Sequence, residues 1–230
     1  MVFPLFAAIH LLLAIVSLAV LSVEPIAAIS LATVEFITFF DNAIVAIGNR
    51  LGVSPRLYRL NRLRFFLHAV LISWLIPAYA GIGHALGIAA FDTRIFQALI
   101  ILLTAGVSAF GYFFGYRRLQ RIMPVNYYGC LRYAQTVSPA SRRDDYDYSA
   151  AELENKGFPP FASILTVLIG LVLSVWIGLA TGFWIPAIVT GLMMLAGRFP
   201  PTAFGALATS GLEVIFSAGL VFSLLRAVGL

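Results

Sequence analysis

Three carboxylates sit inside stretches that otherwise belong in oil: Glu35 and Asp41 in "VEFITFFDNAIVAIG" (34–48), and Glu213 in "LATSGLEVIFSAG" (207–219). An ionised carboxylate left alone at a bilayer centre costs at least ~2.5 kcal/mol. Each must therefore be protonated, hydrogen-bonded or balanced by a cation. No lysine or arginine falls at mid-depth of any apolar segment, so the balancing charge is expected to come from outside the chain. At ~100° per residue Glu35 and Asn42 point almost the same way, with Thr38 ~60° and Asp41 ~120° to one side, over ~10 Å of rise. These four line one polar stripe. Thr209, Glu213 and Ser217 repeat at i, i+4, i+8 and make a second stripe, flanked by Gly205, Gly211 and Gly219, where small residues let helices approach. Oxygen ligands of this kind suit a hard divalent cation such as Mn²⁺, Ca²⁺ or Mg²⁺. The expected metal ligands are Glu35, Asp41, Asn42 and Glu213, with Thr38, Thr209 and Ser217 as auxiliary oxygens. The competing reading is that the acids are protonated and serve only as packing glue between helices.

Histidines 10, 68 and 84 stand singly on apolar helices, where such residues are mostly interfacial or satisfied by a neighbour. His84, near the outer end of its segment, is the one expected to relay a proton or ion. Cys130 is a lone thiol and a bystander. Gly-rich phosphate loops, GxSxG, HExxH and paired histidine boxes are absent from the sequence, so it does not read as an enzyme.

The elements that must hold these groups follow from composition. Of the 230 residues 61% are hydrophobic and 11% charged, and the mean hydropathy is +0.96. This describes a polytopic membrane protein. Only helices or closed barrels satisfy their backbone in lipid, and the long unbroken runs favour helices. The expected fold is an all-α transmembrane bundle of about seven spans: 3–23, 25–48, 63–88, 95–115, 159–181, 183–197 (short enough for a re-entrant hairpin) and 202–228. The whole chain, 1–230, reads as a single transmembrane domain, its first run a retained span rather than a removed signal. The polar stretch 116–158 reads as a cytoplasmic loop, in which "SRRDDYDYSAAELENKG" (141–157) suits a mobile segment with a short helix from Ser149. Arginines crowd 49–64 and 116–158, whereas Arg94 and Arg226 alone fall on the other side, so the N-terminus is expected in the cytoplasm and the C-terminus outside. The net charge of +5 then lies in juxtamembrane loops and points to anionic membrane lipids, not to nucleic acid.

Leu31 to about Gly83 resembles the TerC family of integral membrane proteins, allied to the LysE superfamily of exporters. That family carries a Glu followed six residues later by Asp-Asn, then a short arginine-rich turn and another span. Glu35, Asp41-Asn42, "NAIVA" and "NRLGVSPRLYRLNRLRFFLHAVLISW" stand at that spacing here. The resemblance implies an inner-membrane exporter of a divalent metal ion such as Mn²⁺. It also implies a second acidic repeat. "LATSGLEVIFSAG" echoes "LATVEFITFFDN" in its opening and its Glu-x-Ile, and the two run in opposite directions as inverted repeats do, but Gly219 stands where an Asp would complete the pattern. The alternative is a TerC-like scaffold subunit that binds lipid or pigment along its phenylalanine-rich surface. An exporter would be isolable alone or as a homo-oligomer, and a scaffold would travel in a larger membrane complex.

Overall fold

The computed structural model describes residues 2–119, 121–196 and 201–230, and the side chains of these except 196 and 201–209. Arg198 and the Thr209 side chain lie outside that set. The chain is mostly helical: α1 (Phe3–Leu18), α2 (Pro25–Leu51), α3 (Pro55–Leu71), α4 (Leu75–Ala85), α5 (Arg94–Phe110), then after the polar loop α7 (Phe161–Thr181), α8 (Ile185–Ala196) and α9 (Pro201–Ala227). The single helical turn α6 (Ala150–Leu153) starts at Ser149, whose hydroxyl and the Glu152 carboxylate cap each other's backbone. A 3₁₀ turn, Ile72–Trp74, joins α3 to α4, so Pro55–Ala85 runs as one 31-residue helical stretch.

Five stretches among the described residues are long and apolar enough to cross a membrane: Pro25–Leu51, Pro55–Ala85, Arg94–Arg118, Phe161–Thr181 and Ser210–Ala227. Phe3–Leu18 and Ile185–Leu195 are apolar but shorter. The core is apolar, but the outer surface is not that of a water-soluble domain. Ile95, Ile101, Leu102, Val172 and Leu179 point outward, while His10, Glu35, Asn42, Asn61, Thr166 and Ser174 are enclosed. An outer surface of this kind is stable against acyl chains and costly in water.

Two expectations change. Helix α3 begins at Pro55, not at 63, because Ser54 caps it by accepting from the Leu57 N–H and proline suits the first turn. Arginines 56, 59, 62 and 64 therefore lie on a helix and not in a loop. The second change is in 116–158, which is not a free loop and brings strands into an architecture expected to be all-α. Strands β1 (Met123–Tyr127) and β2 (Cys130–Ala134) pair antiparallel across a two-residue turn, Tyr128-Gly129, with both residues at positive φ.

The hairpin is sealed onto the bundle by an apolar seam of Leu119, Ile122, Leu131 and Tyr133 against Ile44 and Leu57. Helix side chains also act as the strand that β2 lacks on its open edge. Asn49 accepts from the Leu131 N–H and donates to the Gly129 carbonyl, both at 2.7 Å. Asn61 accepts from the Tyr133 N–H at 3.2 Å, and Arg64 donates to the Tyr133 carbonyl at 3.0 Å. The start of α1 packs here too, through Phe3 against Tyr127. One end of the bundle thus gathers the N-terminus, the end of α2, the start of α3 and the hairpin. At the other end, Arg226 shares a cavity with Ala85 and Gly182.

Gly48 sets the hairpin's approach, since a methyl at that position would overlap the Leu131 carbonyl oxygen. Gly48→Ala should lower stability by about 1–3 kcal/mol and speed proteolysis within 116–158. Thermal unfolding and limited proteolysis in detergent would check this, and wild-type behaviour in both would refute the seam.

Candidate functional site

Helix α2 carries its carboxylates inward from the hairpin end, Asp41 ~10 Å and Glu35 ~20 Å beyond the level of Gly48. Glu35 meets α1: its Oε2 lies 2.7 Å from His10 Nδ1, and both side chains are enclosed. With the carboxylate ionised, Nδ1 is the donor, since an ionised carboxylate only accepts. The opposite nitrogen, Nε2, is buried with no hydrogen-bond partner. A carboxylate holding one imidazole nitrogen while the other points away is the arrangement that orients histidine as a metal ligand or proton acceptor.

Asp41 meets α3. Arg64 Nη1 donates to its Oδ1 at 2.7 Å, and His68 Nε2 lies 3.6 Å from Oδ2. Arg64 and His68 are one helical turn apart and so share a face. The expectation of acids with no basic counterpart is corrected here: Arg64 is buried on α3 and supplies the counter-charge to Asp41.

Glu213, half-buried on α9, interacts electrostatically with Asp41, Glu35, His10 and His68. The acids of the two polar stripes are therefore neighbours, as α9 packs on both α1 and α2. Ser217 is buried one turn beyond Glu213. Thr38 and Asn42 are buried as well but spend their donors on α2 itself, on the Val34 and Thr38 carbonyls. Among the described residues no three of His, Cys, Asp and Glu stand close enough to form a ready metal cage. A cation entering here would displace existing pairs.

His84 does not belong to this cluster. It lies 16 residues beyond His68 on the same helical stretch, ~24 Å away. There it bridges Glu24, with Nδ1 2.7 Å from Oε2, and Asp92, with Nε2 3.2 Å from Oδ1. It ties the joint before α2 to the turn that precedes α5.

From the hairpin end a cleft of about 530 Å³ reaches Asp41, Arg64 and His68, walled by Arg132 of β2 and by Lys156 through Pro160. Sequence reading missed four members of this site. His68 and Arg64 had a legible signal, their i, i+4 spacing. His10 and Arg132 had none, because only the packing of α1 and of the hairpin brings them in.

No protein-family model matches the chain, and no curated protein or solved structure matches it either.

The pairing of Glu35 with His10 makes a prediction. His10→Ala leaves an enclosed carboxylate without its donor and should destabilise by about 3–5 kcal/mol. Adding Glu35→Gln removes the uncompensated charge and should restore much of the loss. Urea or thermal unfolding in micelles measures both. A double variant no more stable than His10→Ala would sink the pairing.

Proposed function

We propose that the protein is a TerC-like membrane exporter of a divalent cation of the Mn²⁺ class, exchanged against protons through Glu35, Asp41 and Glu213. The observation that carries this reading is that Glu213 interacts electrostatically with both the Glu35–His10 pair and the Asp41–Arg64–His68 group. Three carboxylates against Arg64 leave two negative charges when the histidines are neutral. One divalent cation balances that charge, and so do two protons. Asn42, Thr38 and Ser217 supply neutral oxygens beside the acids, and His10 Nε2 offers a nitrogen already oriented by Glu35.

Seven crossings suit this reading, with the hairpin end and the N-terminus in the cytoplasm, where the arginines belong. Helices α2 and α9 support inverted repeats: each has 27 residues, begins with proline and carries Leu-Ala-Thr from its seventh position. Opposed half-sites meeting in mid-bundle are the usual framework for alternating access.

A second reading, the scaffold subunit, is favoured by Gly219. A side chain at that position would run into Val189 on α8, so the aspartate that would complete the second repeat has no room.

The test is the full chain purified and reconstituted in proteoliposomes. Mn²⁺ flux should drive about two protons per ion in the opposite direction, and Asp41→Asn or Glu35→Gln should cut flux roughly ten-fold or more. Flux that ignores both substitutions, or that moves no protons, would overturn the exchange mechanism. Constant copurification with unlike chains and no flux would select the scaffold.

A further inference from the structure

The cleft that leads to Asp41 is electropositive. Its lining cations are Arg64, Arg132, Lys156 and, when protonated, His68, and its one carboxylate is Asp41. Asp41 is already held by Arg64, so Arg132 and Lys156 remain. Neither has a carboxylate within ion-pairing distance among the described residues.

Arg132 is the unusual one. Its guanidinium lies over the Tyr127 ring, 3.5 Å from the centroid, and its Nε is enclosed without a hydrogen-bond partner. Burial, reinforced by the nearby Arg64 charge, pushes its pKa down to about 10. A cation taken out of water and given no counter-ion is costly, and an anion seated against it returns that cost. Arg132 also lines a second cavity, of about 670 Å³.

The ligand's chemistry follows from the walls. A planar guanidinium beside an ammonium matches the several acceptor oxygens of a phosphate. The cleft opens where α7 enters the bundle, and its rim holds Phe158, Pro159 and Pro160, of which Phe158 is exposed. An adjoining cleft shares Lys156 and adds Arg117, Arg118 and Arg121 against one acid, Glu154, extending the positive surface toward the end of α5. Charge in the cleft and an apolar lip beside it fit a phosphate group, whether free or borne by an anionic lipid whose chains lie over Phe158.

We propose that this cleft is a phosphate-binding site in which Arg132 and Lys156 hold the anion between the β-hairpin and the segment leading into α7. The site stands on its own geometry and does not depend on metal transport. Arg64 is left to Asp41, and the anion offsets the positive field at the mouth of the carboxylate site.

The test uses the full chain in detergent, with two probes. Inorganic phosphate is titrated against chloride at matched ionic strength, with thermal unfolding as the readout. Retention of phosphatidylglycerol against phosphatidylcholine is followed by native mass spectrometry. A response to inorganic phosphate identifies a free anion. Selective retention of phosphatidylglycerol with no such response identifies a lipid headgroup. Either supports the site if Arg132→Gln weakens binding about ten-fold and Lys156→Gln about three-fold, with Arg226→Gln, at the opposite end of the bundle, as the unaffected control. Should Arg132→Gln fail to fold, Arg132→Lys keeps the charge over Tyr127 but loses the fork, and with Lys156→Gln on an exposed position it carries the test. Binding of neither probe, or binding unchanged by the Arg132 and Lys156 substitutions, overturns the proposal.

Discussion

The guanidinium of Arg64 joins by hydrogen bonds three parts of the molecule that pack together at the hairpin end. One nitrogen holds the Asp41 carboxylate of α2, and a second holds the Tyr133 carbonyl of β2, while the stem belongs to α3. Burial makes this bridge consequential. In water such an ion pair is worth little, but inside the bundle the loss of either partner strands a charge in a medium that cannot solvate it. The position of the hairpin, the spacing of α2 from α3 and the state of Asp41 are thereby coupled. Any motion that frees Asp41 to meet another cation must also give Arg64 somewhere to go, and the cleft beside it, with His68 and Arg132 in its walls, is where that displacement would be felt.

Hydropathy carries much of this architecture on its own. Runs of apolar residues long enough to cross a bilayer place the helices within a few residues, because lipid leaves the backbone no alternative. The polar stripe on α2 resolves differently: Glu35 and Asp41 lie ~120° apart by helical period and meet different helices, α1 and α3, while Glu213 on a distant segment interacts electrostatically with both. What hydropathy misreads is charge at helix ends. Arginine 64 looks like part of a loop because three other arginines, 56, 59 and 62, precede it closely, yet Pro55 and Ser54 start the helix before them. His10 carries no local mark at all. Its importance comes from the packing of α1 on α2, a contact between residues 25 apart. The strand pair was hidden for another reason: "MPVNYYGCLRYA" has a weak alternation, and the hydrogen bonds on its open edge come from asparagine and arginine side chains on helices.

The two ends of the bundle are built on different chemistry. At the hairpin end cations outnumber acids, and among the described residues Arg132 and Lys156 have no acidic partner. At the far end His84 lies between Glu24 and Asp92, with a single imidazole serving two carboxylates. Between the ends, the enclosed Glu35–His10 pair and the Asp41–Arg64–His68 group divide the interior into short charged clusters separated by hydrocarbon. Such a distribution gives the molecule an electrical polarity along its long axis that the net charge does not reveal.

The sequence separation between the hairpin and its supports has a consequence for biogenesis. Tyr133 follows Asn61 by 72 residues, which ribosomes supply in roughly 4–14 seconds. Throughout that interval α2 and α3 are already synthesised, while the strand edge they are built to complete does not yet exist. Nascent helices carrying Asn49, Asn61 and Arg64 toward lipid must meanwhile be sheltered by water, headgroups or the insertion machinery. Maturation of this end is therefore a late event, and a chain interrupted before β2 would leave the ribosome with its helices threaded and its polar face unclosed.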